Sequence, residues 1–259
     1  MLKYNSNEAS EYFSNNRIDF SSFYDSEKYV LKLLINHIRK SKTAYKILDI
    51  GCGAGGLGNA LKNILDDKLY YTGIDINEKS IRTGEEKFTN LNLMHGDFHD
   101  LIELESLERY NLITSLSCID WNTDFDSSCN LILNYCIKNE CDFLFTFRAS
   151  DKGLNNIDKS FQYVNYESQK MGEIANYIVL SYKELRSFIN LFGGKAIYCQ
   201  TFMGKPSVTA VTPFSCLTFG CMWISLKENN SHEFDLNSPM KINGVNAYGN
   251  IDIRLLDSH

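Results

Sequence analysis

The sequence predicts an α/β fold in which a doubly wound, mostly parallel sheet carries helices on both faces. Short apolar strands alternate with helix-like segments from residue 45 onward, and parallel strands need such helical crossovers to connect them. The alternation breaks near the end, because the connection from Gly204 to about Phe214 contains no helical pattern. We therefore expect the last strand to be antiparallel and to lie beside the sixth.

Apolar runs and turn residues place each element of this fold in order. A helix is expected from about Gly55 to Leu65, and a second helix after its capping residue Asn77. An amphipathic helix is expected from about Ser26, before the sheet begins. The predicted strands are YKILDIG, LYYTGIDI, LNLMHGD, YNLITSLS, CDFLFTFRAS, KAIYCQTFM and FSCLTFGCMWISLK. The other predicted helices are DFDSSCNLILNYCIKN and SYKELRSFINLF.

Composition limits the classes of partner and compartment. The chain has 259 residues, with 26 Lys plus Arg against 32 Asp plus Glu, a net charge of −6. This acidic balance argues against a broad contact with nucleic acid, whose binders usually have a basic face. With no signal-like or membrane-spanning apolar run, we expect a cytoplasmic protein without a membrane partner. The eight cysteines form no C-x-x-C pair, so we expect reduced, buried thiols and no metal site.

The segment KILDIGCGAGGLGNAL, from Lys46 to Leu61, has the pattern of a strand that turns through glycines into a helix. Gly51, Gly53 and Gly56 fit the G-x-G-x-x-G loop of dinucleotide-binding proteins, whereas Gly51, Gly53 and Gly55 fit G-x-G-x-G. In both cases the glycines let the backbone approach a ligand closely. The glycines alone do not distinguish a dinucleotide from a ligand of the G-x-G-x-G loop.

Three features favour S-adenosylmethionine (SAM). Asp49 would repel a pyrophosphate but suits a ligand with an ammonium and a sulfonium; the alternative is that Asp49 braces the loop. Asp97 and Phe98 close the third strand, where the carboxylate can accept from the adenine amino group and the ring can cover the base. The alternative for Asp97 is to cap the next helix. The antiparallel last strand is the third feature. Asp75, which ends the second strand, suits ribose hydroxyls for either ligand.

Over residues 45 to 227 the chain resembles class I SAM-dependent methyltransferases. The matching motifs, ILDIGCGAGGLG, YTGIDIN, MHGDF and YNLITSLSCIDW, stand in the order and spacing of the family. The resemblance implies a Rossmann-like, seven-stranded sheet with SAM over the first two strands and S-adenosylhomocysteine (SAH) as the product. It implies cofactor contacts from Asp49, Gly51, Cys52, Gly53, Gly55, Asp75, Ile76, Asp97, Phe98, Ser115 and Ser117. For Ile76 the alternative is a core position.

Acceptor-side candidates follow the fourth and fifth strands. Asp120 is the first candidate for a general base, with a turn cap as its alternative, and Trp121 and Asn122 follow it. Arg148 ends the fifth strand and could hold a phosphate or carboxylate. Gln162, Tyr163 and Tyr166 could add hydrogen bonds and a flat wall to the acceptor pocket. Near the start of the chain, Tyr12, Phe13, Arg17 and Tyr24 resemble the lid of small-molecule methyltransferases.

These observations predict methyl transfer from SAM to a hydroxyl or amine of a small polar acceptor. Phosphorylated, sugar-linked and nucleotide-linked compounds are candidates, including precursors of surface polysaccharide. No D/N-P-P-Y/F motif follows the fourth strand, which argues further against nucleic acid. The alternatives are a non-catalytic SAM-binding sensor and an NAD-dependent oxidoreductase. The expected organisation is a helical lid over residues 1–44, a methyltransferase domain over 45–227 with an acceptor segment at about 148–180, and an extension over 228–259.

Overall fold

The computed structural model describes residues 6–15, 17–103, 109–122, 124–165, 167–227 and 239–257. The strands are β1 (Tyr45–Ile50), β2 (Leu69–Asp75), β3 (Asn92–His95), β4 (Leu112–Ser115), β5 (Asp142–Ser150), β6 (Phe161–Tyr163), β7 (Ile174–Asn176), β8 (Leu180–Ser181), β9 (Ala196–Gly204), β10 (Ala210–Val211), β11 (Leu217–Ser225), β12 (Met240–Ile242) and β13 (Val245–Tyr248). The helices are α1 (Asn7–Asn15), α2 (Asp25–Lys40), α3 (Gly56–Leu65), α4 (Glu78–Lys87), α5 (Phe98–Glu103), α6 (Phe125–Asn139) and α7 (Tyr182–Phe192).

The main sheet confirms the predicted α/β class. Its strand order is β3-β2-β1-β4-β5-β11-β9-β13-β12, and the short β8 pairs with the end of β5. β1 pairs in parallel with both β2 and β4. β11 lies between β5 and β9 and runs antiparallel to both, as the helix-free connection before it predicted. The order reverses direction at β1 and β4, and in open α/β sheets such a switch point opens a crevice for ligands.

The sheet extends beyond the seven strands expected from the sequence. β13 pairs in parallel with β9, and β12 pairs antiparallel with β13. Both strands come from the C-terminal extension, which the sequence left without a definite structure. They are three and four residues long, too short to give a clear alternating pattern.

Successive side chains along each strand point to opposite faces of the sheet, and each face has its own apolar layer. On one face Leu48 packs with α6 and α7 residues such as Ile132 and Ile189. On the other face Ile47 packs with α2 and α3 residues such as Leu34 and Leu61. In the described part of the chain, no helix is long and apolar enough to cross a membrane.

Helix ends follow the capping chemistry of the sequence. The side chain of Asn77 accepts a hydrogen bond from the backbone N–H of Ser80 at 2.9 Å, which confirms it as the cap of α4. In α7, Ser181 and Glu184 form a reciprocal capping box, and Gly193 ends the helix with a left-handed backbone. α3 starts directly from the glycine loop, where Gly55 has a φ of 84°.

A second, small sheet covers the carboxyl ends of the main strands. It has the order β10-β6-β7 and is antiparallel. Two of its strands come from the expected acceptor segment and the third from the loop before β11. Ala9 of α1 packs with Trp121, Val164 and Ala175, so α1 lies against this small sheet as well as against the main domain. Strands of two or three residues are held by these long-range contacts, not by local preference.

Candidate active site

A deep cleft opens at the carboxyl ends of β1, β2 and β4. The space between its walls, including open solvent at its mouth, is about 1120 Å³. Segments from five parts of the chain form its walls. They contribute Tyr12, Phe13, Arg17, Phe23, Asp49, Gly51, Cys52, Gly53, Gly56, Leu57, Ile74, Asp75, Ile76, Gly96, Asp97, Phe98, Leu116, Ser117, Cys118, Trp121 and Asn122.

The glycine loop is tied to the end of β2. Gly51 and Gly53 have φ angles of 71° and 56°, a region that is accessible to glycine at little cost. The N–H of Gly53 donates to Asp75 Oδ2 at 2.8 Å, and the N–H of Asn77 donates to Asp75 Oδ1 at 2.8 Å. Burial raises the pKa of Asp75, against the effect of these two donors. The carboxylate is therefore fixed at the cleft beside the loop.

Asp49 connects three neighbouring strands. Its carboxylate accepts from Tyr71 Oη on β2 at 2.5 Å and from Thr114 Oγ1 on β4 at 2.6 Å. Burial raises its pKa to about 6, although both hydroxyl donors lower it. The side chain thus braces the strands below the loop while also lining the cleft, and its predicted contact with the cofactor stays a prediction.

Asp97 and Phe98 lie together on the cleft wall after β3. Asp97 Oδ1 accepts from the backbone N–H of His99 at 3.0 Å and lies 2.8 Å from His99 Nδ1. One carboxylate oxygen therefore caps the start of α5, the alternative noted from the sequence. The other oxygen, Oδ2, is not engaged by the described residues. The cap and an adenine contact are compatible, because they use different oxygens.

The segment that contains α1 closes over the glycine loop. A Cβ added at Gly53 would come 2.9 Å from the carbonyl oxygen of Phe13, and one at Gly56 would collide with the carbonyl oxygen of Arg17. Arg17 also reaches into the cleft, where its Nη2 lies 2.8 Å from Glu27 Oε1 and donates to Ser117 Oγ at 2.7 Å. Tyr12, Phe13 and Arg17 thus lie where the predicted lid would be. Tyr24 is exposed and does not line the cleft.

Aromatic rings form one wall of the cleft. The ring of Trp121 stacks with Tyr12 at a centroid distance of 6.2 Å and meets Phe13 at 6.0 Å. Asn122 lies next to Trp121 on the cleft, and its Nδ2 donates to Ser128 Oγ at 2.7 Å. The structure therefore brings Trp121 and Asn122 together with the lid.

Asp120 and Arg148 lie inside the domain and do not line the cleft. Arg148 Nη2 lies 2.8 Å from Asp120 Oδ2 and donates to the carbonyl oxygen of Asp120 at 2.7 Å, while its guanidinium lies 3.8 Å from the ring centre of Tyr177. Burial raises the pKa of Asp120, and the Arg148 charge opposes that rise. Their predicted roles toward the acceptor stay predictions. Here the two side chains form an ion pair, while Asp120 Oδ1 and Arg148 Nε are buried without a hydrogen-bond partner among the described residues.

Four further candidates also lie away from the cleft walls. Ser115 is buried and accepts from the N–H of Ile119 at 3.1 Å. Gly55 forms the start of α3, and Gln162 and Tyr163 belong to β6 of the small sheet. Tyr166 lies outside the described residues. The remaining candidates, Gly51, Cys52, Gly53, Asp75, Ile76, Phe98 and Ser117 among them, do line the cleft.

Several cleft residues escaped the sequence argument. Phe23, Leu57, Ile74, Leu116 and Cys118 all contribute to the walls. Cys118 packs against Gly51, and burial raises the pKa of its thiol, which keeps it uncharged. Their apolar character is the same as that of core residues, so no local signal distinguishes them. Only Leu116 and Cys118 could have been suspected, because they follow a strand that ends at the ligand edge.

The switch point, the glycine loop and the acids after β1, β2 and β3 define a class I SAM-dependent methyltransferase. The family model described as "Methyltransferase domain" matches residues 41–178, just over half of the chain. The chain therefore belongs to this methyltransferase family, as the motifs predicted. No curated protein matches it.

Solved structures share this fold at low sequence identity. A SAM-dependent methyltransferase from Methanosarcina mazei has a TM-score of 0.50 and 17% identity, covering 73% of this chain and 96% of that one. A putative sarcosine dimethylglycine methyltransferase from Galdieria sulphuraria has a TM-score of 0.48 and 15% identity, covering 78% and 86%. The plantazolicin methyltransferase BpumL, solved with SAH and a desmethylplantazolicin analogue, has a TM-score of 0.49 and 13% identity, covering 84% and 89%. At these identities the likeness concerns the fold alone.

Proposed function

We propose that the protein transfers the methyl group of SAM to a hydroxyl or amine of a small polar acceptor. The observation that carries the proposal is the charge of the cleft wall. Asp49, Asp75 and Asp97 all line it, whereas the one cation among its described residues, Arg17, is paired with buried Glu27. A pyrophosphate would be repelled there, while the ammonium and sulfonium of SAM would be attracted.

The cleft residues fit the separate parts of SAM. Asp75, beside the glycine loop, can accept from the ribose hydroxyls, and Asp97 can accept from the adenine amino group through Oδ2. Phe98 and Ile76 supply apolar surface for the base. Nη1 of Arg17 is not engaged by the described residues and can donate to the carboxylate of the methionine part. When bound, SAM would supply a methyl group already activated by its sulfonium.

The contribution of the chain to the reaction is alignment and exclusion of water. Trp121 and Tyr12, with Phe13 edge-on to both, form an apolar wall on which an acceptor can lie beside Asn122. Burial raises the pKa of the Tyr12 hydroxyl, so this group stays protonated and is available as a hydrogen-bond donor. With Asp120 held inside by Arg148, the geometry supports proximity more than a dedicated base.

The same charges argue that the acceptor is neutral or cationic. Arg148, near the end of β5, is expected from the sequence to hold a phosphate or carboxylate, yet its guanidinium is buried and paired with Asp120. Arg17 is likewise offset by Glu27. A sugar hydroxyl or an amine places no anion near the three carboxylates. These two groups are therefore the acceptors to test first.

Calorimetric titration of the purified protein with SAM, SAH and NAD tests the cofactor. We expect SAM and SAH to bind, NAD not to bind, and Asp75→Asn to weaken SAH binding at least about tenfold, the loss of one charge-assisted hydrogen bond. Asp67→Asn, on an exposed turn, is the matched control and should bind as the unmodified protein does. Binding of NAD alone would contradict the proposal.

Transfer of a labelled methyl group tests the acceptor. A low-molecular-mass cell extract is divided by anion exchange into retained and unretained compounds, and each fraction is incubated with methyl-labelled SAM and the protein. We expect labelled product in the unretained, non-anionic fraction. Product only in the retained fraction would contradict the charge argument. No product in either fraction, with intact SAM binding, would favour a non-catalytic sensor.

A further inference from the structure

A line of hydrogen bonds joins the proposed adenine end of the cleft to its acceptor side. Asp97 Oδ1 lies 2.8 Å from His99 Nδ1, at the start of α5. His99 Nε2 lies 3.0 Å from Ser128 Oγ, in the first turns of α6. Ser128 Oγ accepts from Asn122 Nδ2 at 2.7 Å. Asp97 and Asn122, the two ends of the line, both line the cleft.

The donors along this line all point the same way. Asn122 Oδ1 accepts from the backbone N–H of Asp124 at 3.0 Å, which fixes the orientation of the amide and leaves Nδ2 to donate to Ser128. We assign the hydroxyl hydrogen of Ser128 to the bond with His99 Nε2, which leaves Nδ1 as the ring nitrogen that donates. Its proton points to Asp97. Every polar atom in the line is thus satisfied by one consistent arrangement.

The burial of Ser128 distinguishes this line of hydrogen bonds from the catalytic triad of a hydrolase. Ser128, His99 and Asp97 have the order of a nucleophile, a base and an orienting acid, but Ser128 is completely buried. No substrate can reach its hydroxyl, so a nucleophilic role is excluded. The ring of His99 is held by stacking on Phe98, with centroids 4.2 Å apart. The Ser128 end of the His99 ring is therefore buried, while His99 and Asp97 are both partly exposed.

We propose that His99 is a positioning residue that transmits occupation of the adenine site to the amide of Asn122. The proposal rests on the proposed function, because it places adenine at Asp97 and the acceptor at Asn122. An adenine amino group on Asp97 Oδ2 displaces water from a carboxylate that is one-quarter exposed and fixes its plane. Hydrogen bonds strengthen when water is excluded, and linked bonds polarise each other. The Asn122 amide is then held more firmly once the cofactor is bound, so the cofactor raises the affinity of the cleft for an acceptor that contacts this amide.

Nuclear magnetic resonance of the side-chain amide of Asn122 tests this coupling. Adenosine is the probe, because it occupies the adenine and ribose positions and lacks the methionine part that would approach Asn122 directly. We expect adenosine to shift the Asn122 amide resonance, which is assigned through its loss in Asn122→Asp. Ser128→Ala should abolish most of that shift while adenosine still binds. Ser127→Ala, at an exposed neighbouring position of α6, should retain it.

The nitrogen spectrum of His99 gives an independent readout. Nδ1 should show the signal of a protonated ring nitrogen and Nε2 that of an unprotonated one, and Ser128→Ala should change Nε2 alone. Adenosine binding without a shift at Asn122, or a shift unchanged in Ser128→Ala, would overturn the coupling. SAH binding without adenosine binding would also overturn the coupling, because contacts to the adenine would then not be what drives the change at Asn122. If calorimetry shows that neither adenosine nor SAH binds, both the coupling and the proposed function are contradicted.

Discussion

Arg17 Nη2 lies 2.8 Å from Glu27 Oε1, and this ion pair joins the lid to the first turn of α2. The carboxylate of Glu27 is fully buried and also accepts from the N–H of Tyr24 at 2.9 Å. A buried charge that loses its partner is costly, whereas a pair removed together is not. The lid and the helix are therefore energetically linked through these two residues.

Replacing Arg17 should destabilise the protein through Glu27. Arg17→Met leaves the carboxylate buried without its cation, and we expect the free energy of unfolding in urea to fall by about 3 kcal/mol. The double variant Arg17→Met, Glu27→Gln should recover most of that loss. Arg82→Met, which removes a largely exposed pair with Glu78, is the control and should change little. An equal loss in the single and double variants would contradict the argument.

Gly56→Ala should open the lid without weakening α3. Gly56 is the first residue of α3, so alanine there keeps the helix, but the new Cβ would collide with the carbonyl oxygen of Arg17. We expect faster proteolytic cleavage between α1 and α2 and weaker SAH binding, at nearly unchanged stability. Asn63→Ala, on the exposed side of the same helix, should alter neither property. Unchanged cleavage in Gly56→Ala would show that the lid does not rest on the glycine.

Asp49 should make stability depend on pH in the direction opposite to that of a surface acid. Its pKa is about 6 in the folded protein and 3.8 in the reference state, so the folded state binds the proton more tightly. The associated stability is fully present below pH 3.8 and is lost as the pH rises through about 6. The total is about 3 kcal/mol, since one pKa unit corresponds to about 1.4 kcal/mol.

Urea unfolding of the unmodified protein and Asp49→Asn over this pH range measures the effect. Taking the difference between the two proteins cancels the other buried acids. We expect the stability of the unmodified protein to decline relative to the variant as the pH rises from 4 to 7. A constant difference would mean that the pKa of Asp49 is not raised.

The pair of Asp120 and Arg148 should behave as a structural unit. Asp120→Ala leaves a buried guanidinium without its counter-ion, and we expect a loss of about 3 kcal/mol in the free energy of unfolding. The double variant Asp120→Ala, Arg148→Met should be more stable than the single one, and SAH affinity should stay the same in both. Loss of methyl transfer at unchanged stability in Asp120→Asn would instead support the predicted base.

The sequence predicted the parts of the fold that local patterns determine. The strands from β1 to β5, the Asn77 cap and the glycine loop follow from apolar runs and turn residues. β6, β7 and β10 have two or three residues each, so their existence depends on partners far along the chain. The same holds for β12 and β13.

In the candidate site, too, some residues could be placed from the sequence and others could not. The place of Asp75 and Asp97 on the cleft wall could be predicted because each follows or ends a strand at the ligand edge of the sheet. Arg148 could not be placed, because the same position serves an exposed anion site or a buried pair, and the partner Asp120 lies 28 residues away. The link from His99 to Ser128 likewise joins two helices whose relative position no local pattern contains.

β13 gives the main sheet an edge that is completed late in synthesis. β9 pairs with β11 on one side and with β13 on the other, and β13 leaves the ribosome some forty residues after β9. Until then the nascent chain presents an open row of backbone donors and acceptors, to which another chain can add. During the interval between the synthesis of these two strands, this edge of β9 is open to pairing with another chain, and a chaperone that covers it would lower that risk.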